Sequence, residues 1–308
     1  MRHKENFKSF IFALFLILLV TSGHASQNYR EIYPSFDLSL SRYGRSARLY
    51  DIYYNWMPAN QLNPPYLAQK EVWKALYQQE CERSIPLDNE HIIPRVIHQI
   101  WLGSPVPEEY QKWMQSWVNW NGWEYCLWTD KEVENLTLYN ADFYKKATNF
   151  GEKSDILRYE ILNQFGGLYV DTDFACLNPD FFDFLHRNYT FYVGIEPLEN
   201  DALRCCNALI GASPGHPLMN KLVEEVASDY KKKKQYSIVL KTGPGFLSRI
   251  LAKYPDLLKG GMIFPPTFFY PAVRAELMHG VDCCEQESAA IHFWEGSWAF
   301  MPLKKDQI

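Results

Sequence analysis

The segment spanning residues 153–173 constrains the fold more than any other part of the chain. Apolar side chains recur in it at helical spacing, which predicts an amphipathic helix packed on a core. Gly166-Gly167 would end that helix, and Leu168-Tyr169-Val170 reads as a short buried strand. Asp171 and Asp173 then stand at the carboxyl end of the strand, where α/β sheets bind ligands. The segment therefore predicts a helix, a strand and a ligand site in succession.

The segments before it alternate in the same way. Ile93–Trp101 and Trp123–Trp128 read as strands, and Tyr110–Trp120 reads as a helix between them. Strands that alternate with helices favour an α/β fold with a mostly parallel sheet. Residues 26–90 show only one plausible amphipathic helix, at Gln69–Gln79, and we interpret them as a stem or helical lead-in.

The two strand-end carboxylates indicate a metal site. Carboxylates one residue apart form a hard oxygen site for Mg²⁺ or Mn²⁺, and such an ion would neutralise a departing diphosphate as a Lewis acid. The triplet alone is a weak motif, because 15 Asp in 308 residues supply about 0.7 Asp-x-Asp triplets by chance. Its place after a helix, two glycines and an apolar strand favours function over a solvated turn. Asp155, Arg158 and Tyr159 share another face of the same helix.

The block SDILRYEILNQFGGLYVDTD resembles the signature of the DXD-containing glycosyltransferases, related to yeast initiating mannosyltransferases and to the catalytic domains of clostridial glucosylating toxins. Later and earlier landmarks of that family follow in the same order. They are IPRVIHQIWLG at 93–103, Asn207, Gly215-His216-Pro217, Thr242-Gly243-Pro244, Phe269-Tyr270-Pro271 and the HFWEGSW run from His292 to Trp298. Several spaced motifs in order are more specific than any one of them.

The resemblance implies a single catalytic domain with a GT-A fold, which is Rossmann-like with a mostly parallel sheet. It implies a retaining, metal-dependent hexosyltransferase that uses Mn²⁺ or Mg²⁺. The donor would be a nucleotide-diphosphate sugar, namely UDP-glucose, UDP-galactose or GDP-mannose. The acceptor would be a glycan, a lipid or a protein.

The resemblance also implies residue roles. Trp101 would stack on the nucleotide base, and Asp155 and Arg158 would hold the hydroxyls of the donor sugar, with Arg158 also near the diphosphate. Asn207 would lie near the sugar or the reaction centre. The implied donor-binding residues are Trp101, Ser154, Asp155, Arg158, Tyr159, Asp171, Ser297 and Trp298. The implied catalytic residues are Asp155, Arg158, Asp171, Asp173 and Asn207.

The implied metal site and lid would combine residues of the DXD block with residues of the HFWEGSW run. Asp171 would contact the ribose and a metal-bound water, and Asp173 would ligate the metal directly. A neutral imidazole at His292 would complete the shell, so the expected ligands are Asp171, Asp173 and His292. Ser297 and Trp298 would close over the phosphates as a lid, with a glycine hinge before them.

Each of these residues also has a structural interpretation. Trp101 could be a core tryptophan at a strand end, and Asp155 with Arg158 could be an ion pair one helical turn apart. Asn207 could be a satisfied structural amide, and His292 a buried histidine bonded to backbone.

The first 25 residues read as a targeting segment. A basic start is followed by the apolar run Phe10–Val20 and then by small residues. That run has 11 residues, whereas a membrane span needs about 20. We therefore predict a signal peptide, or a signal anchor that would attach the chain to a membrane, at 1–25, the lead-in at 26–90 and the GT-A domain at 91–308. The expected location is the secretory pathway or outside the cell: Golgi-type lumenal, periplasmic or secreted.

Export changes the interpretation of the seven cysteines. Disulfide bonds are expected in an oxidising compartment, although an odd count leaves at least one thiol free or paired between chains. The sequence leaves the connectivity open.

The sequence also bears on other classes of function. A net charge of −5 gives no electrostatic footprint for nucleic acid, so no nucleic-acid partner is expected. An aspartyl phosphatase would use Asp171 as nucleophile and Asp173 as general acid, although Phe174 and Ala175 follow where such enzymes usually carry a Thr or Val. A non-catalytic secreted sugar-binding module would use aromatic faces, of which this chain has many: 16% of its residues are Phe, Trp or Tyr.

Overall fold

A computed structural model of the chain describes residues 29–41, 64–84, 90–147, 149–197, 203–232, 237–278, 280 and 282–297. The predicted targeting segment at 1–25 lies outside these ranges. Within them, no helix combines the length and the apolar character that a membrane crossing requires.

The described chain alternates between helices and short strands. The helices are α1 (Phe36–Ser41), α2 (Pro64–Glu82), α3 (Glu108–Met114), α4 (Asp130–Val133), α5 (Ala141–Lys146), α6 (Phe150–Phe165), α7 (Pro179–Asn188), α8 (Pro217–Lys232), α9 (Ile238–Lys241), α10 (Pro244–Lys253) and α11 (Arg274–Met278). The strands are β1 (Val96–Ile100), β2 (Glu124–Trp128), β3 (Gly167–Val170), β4 (Phe174–Cys176), β5 (Phe191–Ile195), β6 (Cys205–Ala212), β7 (Gly261–Phe264) and β8 (Ala290–His292).

Six strands form one mixed sheet in the order β2-β1-β3-β6-β5-β7. The pairs β1/β2, β1/β3 and β5/β7 are parallel, whereas β6 runs antiparallel to both β3 and β5. Five strands of this sheet therefore run in one direction. The predicted α/β architecture with a mostly parallel sheet, as expected of a GT-A domain, is confirmed.

The expected strands and helices are present with shifted ends. The strand expected over Ile93–Trp101 is β1, which begins at Val96 and ends at Ile100. The helix expected over Tyr110–Trp120 is divided into α3 and a 3₁₀ turn at Gln115–Trp117. The helix of the lead-in is longer than predicted, since α2 covers 19 residues.

The described part of the lead-in packs on the sheet domain. Trp73 and Tyr77 of α2 are buried in the same apolar core as the strands, together with Phe36 of α1. The Tyr77 hydroxyl donates to the Pro34 carbonyl at 2.9 Å, which ties α2 to the segment before α1. The division between lead-in and catalytic domain at residue 91 stays a prediction.

All seven cysteines lie in described ranges and all are free thiols. The expected disulfide bonds are therefore not formed in this structure. Three of the cysteines are buried, and burial raises the pKa of their thiols well above the ordinary range: Cys176, Cys205 and Cys206.

Candidate active site

A cavity of about 330 Å³ opens at the edge of the sheet where β1, β3 and β5 end and β6 begins. Ligand pockets of small molecules typically start at about this volume. Ile100, Asp171, Asn207 and Glu196 line it from these four strands or from the residues just beyond them. The cavity thus occupies the edge where α/β sheets bind ligands.

Helix α6 supplies the polar wall of the cavity. It begins at Asn149, whose side chain accepts a hydrogen bond from the Glu152 amide at 2.9 Å and so caps the helix. It ends at Phe165, and Gly166 follows as its C-cap with a φ of 65°. Between these ends, Ser154 and Arg158 line the cavity one turn apart.

Asp171, Asp173 and His292 come together as the sequence predicts. Their ligand atoms all lie within 4.8 Å of one another. His292 reaches the two aspartates because β8 pairs with β4, placing His292 opposite Phe174. The two rings stack with centroids 4.4 Å apart, and the Phe293 amide donates to the Asp173 carbonyl at 2.9 Å.

Asp173 is held as a carboxylate. His292 Nε2 lies 3.1 Å from its Oδ1, and the Glu295 amide donates to its Oδ2 at 3.0 Å. Burial would raise the pKa of Asp173, but His292 and this amide outweigh burial and lower it. An ionised carboxylate at this position is what a metal ligand requires.

Arg158 joins Asp171 to the helix. Its Nη1 lies 3.1 Å from Asp171 Oδ1 and donates to the Asn207 carbonyl at 2.7 Å, while its Nη2 donates to Ser154 Oγ at 3.1 Å. Tyr169 lies beneath the guanidinium, 4.5 Å away, and donates to Asp171 Oδ1 at 2.6 Å. Burial raises the pKa of Asp171, and the guanidinium opposes that rise. These N–H donors of Arg158 are therefore already bonded to groups of the protein.

Asp155 is the centre of a second buried cluster. Asn207 Nδ2 donates to its Oδ1 at 2.7 Å, and Thr242 Oγ1 donates to its Oδ2 at 2.8 Å. Arg158 Nη2 is 3.3 Å from Oδ1. Burial raises the pKa of Asp155 to about 6, with Arg158, Thr242 and Asn207 opposing the rise. The Asp155 carboxyl is therefore protonated more readily than an ordinary aspartate.

The remaining predicted donor residues divide into three groups. Trp101, Ser154 and Ser297 line the cavity, and Trp101 is fixed by its indole N–H, which donates to Ser104 Oγ at 3.1 Å. Trp298 lies outside the described residues. Tyr159 is the third case.

Tyr159 does not line the cavity, contrary to the donor-binding role predicted from the sequence. It is fully buried behind the wall, where its hydroxyl donates to the Thr242 carbonyl at 2.7 Å and accepts from Asn207 Nδ2 at 3.1 Å. Neighbouring positions of a helix point in directions about 100° apart, so Tyr159 turns into the core while Arg158 faces the cavity. Its place is that of a support for Asn207.

Several residues of the site were missed by sequence reasoning. Thr242 belongs to a motif that the sequence identifies, but no pattern connects it to Asp155. Tyr169 lies in the predicted strand two residues before Asp171, and side chains two apart point to the same side of a strand. The contact between Tyr169 and Asp171 could have been predicted only if the residues around Tyr169 had been known. Glu196 and Arg204 carry no motif at all, yet both line the cavity.

Part of the chain is similar to known proteins. Residues 107–191 match the family model described as the glycosyltransferase sugar-binding region containing the DXD motif. Inositol phosphoceramide mannosyltransferase 1 of Schizosaccharomyces pombe is 30% identical over 213 residues, which cover 62% of this chain and 63% of that protein. Inositol phosphoceramide mannosyltransferase 2 of the same yeast is 28% identical over 221 residues, covering 68% and 59%.

Among solved structures, the catalytic domain of alpha-toxin from Clostridium novyi is similar at 10% identity with a TM-score of 0.43, covering 99% of this chain and 95% of that one. The chain spans about three fifths of the length of the two yeast relatives. The matched region contains α6, β3, Asp171 and Asp173. Residues 107–191 thus match the model of the DXD-containing glycosyltransferase family that the sequence motifs resemble.

Proposed function

We propose that this protein is a metal-dependent, retaining glycosyltransferase that moves a hexose from a nucleotide-diphosphate sugar to a hydroxyl acceptor. One observation carries the proposal. The ligand atoms of Asp171, Asp173 and His292 lie within 4.8 Å of one another in a cavity that Asp155 and Arg158 also line. A carboxylate-rich metal site beside further buried polar groups suits a diphosphate and a sugar in one molecule.

The residues present fit a divalent cation. Two carboxylate oxygens and one imidazole nitrogen suit Mn²⁺ or Mg²⁺, whose remaining positions are taken by water and phosphate. Among the described residues that line the cavity are four carboxylates and two guanidiniums, a formal balance of −2 without His292: Asp155, Asp171, Asp173 and Glu196 against Arg158 and Arg204. Because Arg158 is bonded to the protein, a diphosphate needs another source of positive charge. The Asp171, Asp173 and His292 group supplies the place for it.

Each residue then has a task. Asp155 and Asn207 hold sugar hydroxyls from the side of α6 and β6, and Arg158 keeps Asp155 and Asp171 in place. Trp101 offers its ring to the base, and Ser297 closes on the phosphates. When bound, the cation would act as a Lewis acid on the departing diphosphate.

The bond changes are those of hexosyl transfer with retention. The acceptor oxygen bonds to the anomeric carbon, and the bond from that carbon to the diphosphate oxygen breaks. The electron pair leaves with the nucleoside diphosphate, and the acceptor proton passes to that diphosphate or to water. Asp155, ionised above pH of about 6, would keep the sugar oriented through the transfer.

The names of the relatives support an order among the possible donors and acceptors. Two proteins similar to this chain are named as inositol phosphoceramide mannosyltransferases, which supports GDP-mannose before UDP-glucose and UDP-galactose. The same names support a lipid acceptor before a glycan or a protein acceptor. We keep the secretory pathway or export as the proposed location, with possible membrane anchoring by the N-terminal segment, on the strength of residues 1–25.

Donor turnover tests the proposal directly. We expect the protein to release nucleoside diphosphate from one of the three sugars with Mn²⁺ or Mg²⁺, and to stop when EDTA is added. An aspartyl phosphatase would instead hydrolyse p-nitrophenyl phosphate, and a sugar-binding module would bind a sugar without turnover. Either of those results, together with no metal-dependent release from any of the three donors, would overturn the proposal.

A further inference from the structure

The order of the strands spreads the cavity residues along one edge of the sheet. Trp101 follows β1, Asp171 follows β3, Asn207 lies near the start of β6 and Glu196 follows β5. These strands are consecutive neighbours in the sheet. At a spacing of about 4.8 Å per strand, Glu196 lies about 14 Å from the Trp101 end.

This order assigns positions to the two substrates. The inference rests on the proposed function, in which the base lies at Trp101, the diphosphate at Asp171 and the sugar at Asn207. The donor then extends along three strands and ends at β6. Glu196, one strand further, lies beyond the transferred sugar, where an acceptor must approach.

Glu196 and Arg204 form one polar unit at that end. The Glu196 amide donates to the Arg204 carbonyl at 2.9 Å, which extends the β5/β6 ladder by one pair. Their side chains pair as well, with Arg204 Nη1 3.1 Å from Glu196 Oε1. The Glu196 side chain is 14% exposed and that of Arg204 is 24% exposed, so both meet the cavity without being free in solvent.

The chemistry of this pair suits a ring that carries several hydroxyls. A carboxylate only accepts hydrogen bonds and a guanidinium only donates them. Side by side, they match adjacent hydroxyl groups, each of which can donate to one and accept from the other. Trp294 adds an aromatic face to the cavity, and Tyr270 connects it to this end, with its ring 5.8 Å from Trp294 and its hydroxyl 3.5 Å from the Cys206 carbonyl.

We propose that Glu196 and Arg204 form the acceptor subsite of this protein and that its ligand is a polyhydroxylated six-membered ring, either a sugar or a cyclitol. Glu196 accepts hydrogen bonds from ring hydroxyls, and Arg204 donates to them. The pair selects the acceptor and takes no part in breaking the donor bond.

The test compares acceptors in the full chain with GDP-mannose and Mn²⁺. Methyl α-D-mannopyranoside and myo-inositol are the ring acceptors, and methanol is the reference acceptor with one hydroxyl. We expect Glu196→Gln to lower the preference for a ring acceptor over methanol at least about tenfold, mainly through a higher KM for the ring. Arg204→Lys keeps the positive charge but loses the paired N–H donors of the guanidinium. We expect it to lower the preference for a ring acceptor over methanol in the same direction, but by less.

Glu224→Gln is the matched control, because Glu224 forms a similar ion pair with Lys221 on the exposed face of α8. It should keep the wild-type preference, and a thermal melt of every variant separates misfolding from a change of selectivity. An unchanged preference in Glu196→Gln, or an equal loss in Glu224→Gln, overturns the subsite. A wild type that turns over the donor but prefers neither ring over methanol also overturns the subsite while the proposed function stands. A wild type that turns over no nucleotide sugar overturns both.

Discussion

At the scale of single residues, the site depends on side chains whose hydrogen bonds are already made within the protein. Asp173 is held on both oxygens by His292 and by the Glu295 amide. Asp155 is held on both oxygens by Asn207 and Thr242. Groups fixed in this way lose little freedom when a ligand binds, so the site is preorganised for charge.

Replacing Asp173 by Asn tests the metal role. Asn keeps the size of the side chain but lacks the charge, so we expect turnover of the donor to fall at least about 100-fold. Stability should change by no more than about 1 kcal/mol, since the substitution also relieves repulsion from Asp171. Kinetics at saturating Mn²⁺ and urea unfolding measure the two effects. Asp256→Asn on the exposed surface is the control, and wild-type turnover in Asp173→Asn would exclude the metal role.

Asp155 predicts how activity depends on pH. Burial raises its pKa to about 6, so turnover should fall as the pH is lowered through about 6 and the carboxylate takes up a proton. Thr242→Val removes a hydrogen bond that favours the ionised form, so its acidic limb should lie at higher pH, whereas Thr242→Ser should keep the wild-type limb. The profile of kcat/KM against pH measures this shift. Identical limbs in the Val and Ser variants would contradict it.

The same group has a consequence for stability. Its folded-state pKa lies above the ordinary value of 3.8, so the folded state binds more protons than the unfolded state between about pH 4 and 6. The contribution of Asp155 to the free energy of unfolding therefore falls as the pH rises through that range.

At the scale of elements, the connection from α6 to β3 positions both halves of the site. Helix α6, which carries Arg158, ends at Phe165, and strand β3, which precedes Asp171, begins at Gly167, so only Gly166 separates the two elements. Both glycines have positive φ, 65° and 103°. This direct reversal is possible because a Cβ is absent where β3 passes close to β1.

Gly167→Ala should disrupt this connection. A Cβ there would lie 2.5 Å from the Val96 carbonyl oxygen and 3.0 Å from His98 Nε2. We expect a loss of more than about 3 kcal/mol in the free energy of unfolding, or no folded protein. Gly215→Ala is the control, because Gly215 also has a positive φ but nothing lies within 4 Å of its added Cβ. It should cost only about 1–2 kcal/mol, and equal losses in the two variants would contradict the steric argument.

At the scale of the whole molecule, the helices before the sheet share its core. Trp73 of α2 is 1% exposed within the cluster that contains the strand residues. Lys74 in the same helix forms an ion pair with Asp37, which connects α2 to α1. The described part of the lead-in should therefore unfold together with the catalytic part.

Trp73→Ala tests that cooperativity. Loss of a fully buried tryptophan should lower the free energy of unfolding by about 3–5 kcal/mol. Secondary structure and donor turnover should be lost together in one transition, which the substitution shifts. Val72→Ala is the control on the same helix, since Val72 is 53% exposed, and its cost should stay within about 0.5 kcal/mol. Two separate transitions, of which Trp73→Ala moves only one, would show an independent lead-in.

The sequence by itself determined the local elements and the position of the two aspartates after the central strand. The helical stripe of α6, the two glycines and the apolar strand before Asp171 are all short-range patterns, which depend on periodicity and turn preference. The family motifs predicted that His292 lies beside the two aspartates, and the structure places it there.

Only the tertiary structure decided which side chains face the cavity and what holds them. Tyr159 and Arg158 are adjacent in sequence, yet one is in the core and the other on the wall. Thr242 meets Asp155 across 87 residues, and Glu196 joins the cavity because β5 lies beside β6. Such contacts depend on strand order and on the packing of distant elements, and neither leaves a periodic or local signal in the chain. The physical reason is that local patterns specify elements, whereas a site is assembled from side chains that meet only when those elements pack.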